Sequence, residues 1–177
     1  MNEYRHRLEK LLPLVDKPSR YIGGEIGEIR KEFRPGMIRF AMAFPEIYEI
    51  GSSHHGGEIL YQIVNSREDM ICERVFCPWK DMAEKLRENE IPLLSIESGT
   101  PLADFDVVGF SLEYELSYTN VLEMLDLARI PLRSADRGEE HPLIIAGGPS
   151  VFNPEPVADF FDLFVIGDGE EILPLLL

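Results

Sequence analysis

The segment SSHHGGE, residues 52–58, sets two hydroxyls, two imidazoles and a carboxylate within about two helical turns. It closely follows the apolar run MIRFAMAF (37–44). His54, His55 and Glu58 have the donor types and helical spacing of metal ligands, but a histidine at a helix start also serves as a cap. Gly56 and Gly57 let a ligand approach the backbone, or simply let a helix pack tightly on a strand. Three further segments combine small residues with polar ones: FSLEYELSY (110–118), AGGPS (146–150) and GDGEE (167–171). In the first, Ser111 either contacts a ligand or caps the following helix, and Glu113, Tyr114 and Tyr118 are pocket candidates. In the second, Gly147 and Gly148 suit a loop of close ligand approach, with Pro149 fixing its exit. In the third, Asp168, Glu170 and Glu171 favour a helix N-terminus through the dipole. No G-x-x-x-x-G-K-[ST] loop, no G-x-G-x-x-G after the first strand and no G-x-S-x-G elbow is present, so phosphate-loop and serine-hydrolase chemistry lack support.

These segments need a scaffold. A chain of 177 residues with 45% hydrophobic content suits one domain with a packed core. No window reaches the ~20 apolar residues of a membrane span, and the N-terminus lacks a secretory pattern, so a cytoplasmic location is expected. The net charge of -15 comes from 32 acids against 17 bases. It opposes a phosphate backbone, and direct nucleic-acid binding is not expected. Cys72 and Cys77 are too few for a zinc or iron–sulfur site, each of which takes about four ligands. Five positions apart on a strand they face opposite ways and read as small buried hydrophobes. Trp79 reads as core or domain interface.

Residues 1–35 read as an extension. It opens with an amphipathic helix to about Val15 that carries Leu8, Leu11, Leu12 and Val15 on one face, and Pro18 stops it. A glycine-turned hairpin in RYIGGEIGEIRK follows. Residues 36–177 alternate strands and helices. The strands are MIRFAMAF, ICERVFC, DVVGFSL, PLIIAGG and LFVIGDG. The helices are HGGEILYQIVNS, PWKDMAEKLREN from Pro78, YTNVLEMLDLAR, the short PEPVADFF and EEILPLLL. Near-continuous apolar strands between helices predict a doubly wound, mostly parallel five-stranded α/β sheet covered on both faces. A flavodoxin-like order is the first choice and a Rossmann order the alternative, because strand order is not encoded locally. In such a sheet, ligands lie at the carboxyl ends of the strands, where all four small-residue segments fall.

SSHHGG resembles the D-x-H-x-x-G loop of cobalamin-binding domains. His54 and Gly57 take the H-x-x-G positions and Ser52 stands at the acidic one. The resemblance implies a cobalamin-binding-like fold, with His54 as the lower cobalt ligand. It also implies Ser53, Gly56, Gly57, Ser111, Leu112, Glu113, Gly147, Gly148, Pro149, Gly167 and Gly169 around the cofactor, with the Gly147–Gly148 pair beside its nucleotide tail. RYIGGE, FPEIYEIGSSHHG, ERVFCPWKDM, FSLEYELSYTNVLEMLDLA and GGPSVFNPEPVADFFDLFVIGDGEE together resemble the N-terminal region of a radical S-adenosylmethionine protein family. That family joins such a domain to a radical barrel. The C-x-x-x-C-x-x-C triplet for a four-iron four-sulfur cluster is not in these residues. The expectation is therefore a fragment, inactive alone, whose partner is its own barrel, where S-adenosylmethionine and the cluster would bind.

Two functions from different classes follow. One is a module presenting a corrinoid to the barrel. The other is an interaction or structural domain that has lost corrinoid binding. A flavin or nucleotide binder rests on fold analogy alone.

Overall fold

The structure, a computed structural model, describes residues 3–177. Its centre is a sheet of β1 (Ile38–Phe44), β2 (Met70–Phe76), β3 (Val107–Ser111), β4 (Leu143–Gly147) and β5 (Leu163–Phe164). The order is β2-β1-β3-β4-β5 and every pairing is parallel. This is the flavodoxin-like order, with its switch point between β1 and β3.

Alternation along the strands sorts the side chains into two cores. Phe40 and Met42 of β1, Cys72 of β2 and Ile145 of β4 face α3 (His55–Ser66) and α6 (Gly169–Leu176), which contribute Tyr61, Val64 and Leu173. Ala41, Ala43, Val75, Val108 and Ile144 face α4 (Lys80–Glu88) and α5 (Tyr118–Leu127), which contribute Met82, Leu86, Met124 and Leu125. Each of the larger aliphatic and aromatic side chains among them contributes roughly 1.5–3 kcal/mol, so burial on both faces sets this architecture. Cys72 and Cys77 fall in different cores as free thiols.

The extension departs from expectation. The first helix, α1, ends at Glu9, and Leu12–Leu14 form a 3-10 turn with Pro13 inside it. Proline has no N–H and its ring clashes with the carbonyl four residues earlier, so Pro13, ahead of Pro18, breaks the α pattern. Leu8 and Leu11 are nevertheless buried, with Leu12 and Val15 packed beside them. No hairpin forms in residues 22–34; Gly23, Gly24 and Gly27 take positive φ, a turn closes from Glu25 to Glu28, and the residues after it bond to the domain. Tyr61 Oη accepts from the Ile29 amide at 2.8 Å and donates to the Ile29 carbonyl at 3.2 Å.

Two other elements are shorter or tighter than the pattern suggests. β5 pairs only through Leu163 and Phe164, because the chain turns out at exposed Ile166 and at Gly167, φ +125°. Glu155–Phe160 is a 3-10 helix. Trp79 is half-exposed under the Arg20 guanidinium, 5.5 Å from its ring, and precedes α4, which starts at Lys80.

The free edge of β2 is partnered at Met70, Cys72 and Arg74. The Asn65 amide bonds both the N–H and the C=O of Cys72, each at 3.0 Å. A Glu97 carboxylate oxygen accepts the Arg74 amide at 2.8 Å, and Ile96 N–H donates to the Arg74 carbonyl. Lys31 Nζ donates to the Met70 carbonyl. The Arg74 side chain is buried between Glu97 (2.7 Å) and Glu25 (2.9 Å), 4.9 Å from the Tyr61 ring centroid. Burial raises the Glu97 carboxyl to about 7 against the pull of Arg74, and the nearby Glu73 adds to the rise.

Candidate functional site

A cleft of about 250 Å³ opens at the carboxyl ends of β1, β3 and β4, between α3 and α6. Its floor follows from one absent side chain. Gly109 of β3 has the Phe40 ring over it, so close that a Cβ there would lie 2.6 Å from Phe40 Cζ. Phe40, Met42, Ile145, Val165, Leu60 and Leu173 make the walls apolar.

The loops after the strands close the cleft. Gly148, φ +96°, brings its Cα so near the β3 loop that a Cβ would meet Leu112 O at 2.8 Å. The two loops are tied by Leu112 N–H to Gly147 O and Ser150 N–H to Leu112 O. At Gly147 the nearest atom to a Cβ is 4.0 Å away, so that glycine leaves open space toward the cleft. α6 begins at Gly169, where an added Cβ would lie 3.3 Å from Leu60 of α3.

His54 is the N-cap of α3. Its Nδ1 accepts the Gly57 amide at 3.1 Å, so the ring proton sits on Nε2. Nε2 lies 3.4 Å from a Glu113 carboxylate oxygen, and the ring tilts against Phe44 at 5.0 Å. As placed, neither nitrogen offers a free lone pair to a metal. Ser111 does not cap a helix. Its hydroxyl donates to Glu113 at 2.7 Å, leaving Glu113 faced by one hydroxyl and one imidazole.

Ten of the twelve sequence-nominated residues line this cleft: His54, Gly56, Gly57, Ser111, Glu113, Gly147, Gly148, Pro149, Gly167 and Gly169. Ser53 is exposed and donates to the carbonyls of Glu49 and Ile50. Leu112 is buried in the opposite core because it succeeds Ser111 on an alternating chain. Tyr114 bonds Glu46 outside the cleft, and Tyr118 packs on the α5 side. His55 is exposed, and among the described residues no group of three His, Cys, Asp or Glu side chains is placed to hold a metal. Sequence reasoning missed the floor residues Phe40, Met42, Gly109 and Ile145, and it read Glu170, which lines the cleft, as a helix-dipole residue. The lone glycine within the apolar strand DVVGFSL was the available signal, since a strand glycine marks close approach of another group.

A second, enclosed cavity of about 30 Å³ lies between the extension and α4, room for little more than one water. No described helix is long and apolar enough to cross a membrane.

Residues 87 in number, 49% of the chain, are 29% identical to an uncharacterized protein of Methanocaldococcus jannaschii and span 18% of that protein. A cobalamin-binding protein of Desulfitobacterium hafniense superposes with a TM-score of 0.45 and 17% identity, over 80% of this chain and 60% of that one. The family described as "Radical SAM proteins, N-terminal" matches residues 56–177, and the chain belongs to that family of N-terminal domains of radical S-adenosylmethionine proteins.

Proposed function

We propose that this domain holds a corrinoid at the carboxyl rim of its sheet and presents it to the radical S-adenosylmethionine domain of the whole protein. The carrying observation is the cleft at the β1/β3 switch point, apolar on its floor and edged by small residues from every neighbouring loop. Sites for whole drug-sized ligands run to roughly 300–1,000 Å³. A cavity of about 250 Å³ would therefore take only part of a corrinoid, such as the flat base of its nucleotide tail. His54 acts as a helix cap, so its part toward a corrinoid would be to hold the start of α3 beside the cleft rather than to donate to the metal. The cobalt supplies methyl-transfer or radical chemistry when bound. The chain itself binds, orients and excludes water.

A second reading is favoured by the rim's surface. Segments 45–58, 112–120, 148–158 and 165–171 contain none of the 17 Lys and Arg residues and carry nine carboxylates. Ile50, Leu116, Phe152 and Ile166 stand exposed on them. An acidic rim with apolar side chains fits a protein-contact module that binds no corrinoid.

Titration with hydroxocobalamin, followed by absorption, separates the two. The corrinoid reading expects saturable binding with a base-off spectrum that His54→Ala leaves unchanged. No binding at millimolar protein leaves the contact module.

A further inference from the structure

Every ionisable side chain that lines the cleft beside His54 is a carboxylate. Glu113 and Glu170 are there, and no Lys or Arg is. Glu113 is the deeper constraint, because its side chain is only 27% exposed. Its oxygens meet the Ser111 hydroxyl at 2.7 Å and the His54 Nε2 at 3.4 Å. A carboxylate accepts about four hydrogen bonds, so a ligand that covers Glu113 must bring a donor or leave acceptor capacity dry. Leaving a buried acceptor unmatched is costly. Sites built to bond a polar group discriminate strongly against analogues that lack it.

Resting on the corrinoid reading, we propose that Glu113 is a specificity-determining residue. It selects corrinoids whose lower base carries a free N–H donor, as an adenine does, over those with a dimethylbenzimidazole base. A benzimidazole joined to its ribose has no N–H to offer and would set a methylated hydrocarbon edge against the carboxylate. The exocyclic amine of an adenine donates to an acceptor at that place, and its ring stays flat beside the apolar Phe40 and Ile145.

The test compares three probes on the purified protein: an adenine-based corrinoid, hydroxocobalamin with its dimethylbenzimidazole, and cobinamide, which lacks the nucleotide. Affinities are read by calorimetry. The adenine form should bind at least about tenfold more tightly than hydroxocobalamin. Glu113→Gln, near-isosteric, should shrink the preference, and Glu113→Leu should erase or reverse it, with circular dichroism checking the fold of each. Equal affinity for the two base-bearing corrinoids, or a preference unchanged in both variants, overturns the selectivity while sparing the corrinoid reading. Failure of all three to bind overturns both.

Discussion

His54 Nε2 lies 3.4 Å from the Glu113 carboxylate, while its Nδ1 receives the Gly57 amide. The acidic partner of this imidazole therefore comes from the loop after β3. Ser52, which stands at the acidic position of the histidine's own loop, does not supply it. The consequence is a ring turned to serve the backbone of α3, with its proton directed at a carboxylate.

If His54 is a cap, its loss is a stability effect of ordinary size. His54→Ala should cost about 1 kcal/mol, and His54→Asn, which keeps a cap acceptor, should restore most of it. Thermal denaturation of the three proteins checks this. An Asn variant as unstable as the Ala variant would mean that the Phe44 contact, and not the cap, gives the residue its weight.

The paired glycines after β4 should separate. Gly148→Ala forces a Cβ onto the Leu112 backbone at positive φ and should destabilise by about 1–3 kcal/mol. Gly147→Ala meets no atom closer than 4.0 Å and should leave the melting temperature nearly unchanged, while its methyl narrows the cleft and weakens ligand binding. Equal melting shifts in the two variants would contradict the geometry.

Glu97 should give the protein an inverted pH response near neutrality. Its folded carboxyl sits at about 7, above the unfolded value near 4.3, so the folded state binds its proton more tightly. The stability it contributes is complete below about 4.3, declines as pH rises, and is gone above about 7, a span on the order of 3 kcal/mol. Urea midpoints between pH 5 and 7.5 should fall in the parent protein. In Glu97→Gln the slope should flatten, whatever its absolute stability. A parent curve that rises through this window would refute the assignment.

Both thiols should be inert in the folded protein. Burial pushes Cys77 to about 12 and Cys72 well above the ordinary range, and the thiolate is the reactive form. Iodoacetamide at pH 8 should modify neither until denaturant is added; mass spectrometry reads the outcome.

The parts of the fold that repeat a simple period were legible in the sequence. HGGEILYQIVNS is a helix over those same twelve residues, and the strands from MIRFAMAF through PLIIAGG fall within a residue or two of their readings. Strand order was not legible, because a parallel sheet is assembled by contacts far apart in sequence. The extension misled for a related reason. Its glycines signal a turn, but the hydrogen bonds of Ile29 go to Tyr61 on a distant helix. That the glycines and His54 would gather at one cleft was readable because all four small-residue segments follow strands of a parallel sheet. The Phe40–Gly109 floor and the link between His54 and Glu113 arise only when two strands lie side by side.

The Asn65, Glu97 and Lys31 bonds along β2 bear on how this domain behaves at high concentration. A bare outer strand would invite a second molecule to add to the sheet, and repetition would give filaments. Here the edge groups of Cys72 and Arg74 and the Met70 carbonyl are already taken, and β5 at the far side is two residues long. A chain begun at residue 36 would lose Lys31 and Glu25 and with them part of that seal. Aggregation on shortening is thus the cost of treating the first thirty-five residues as dispensable.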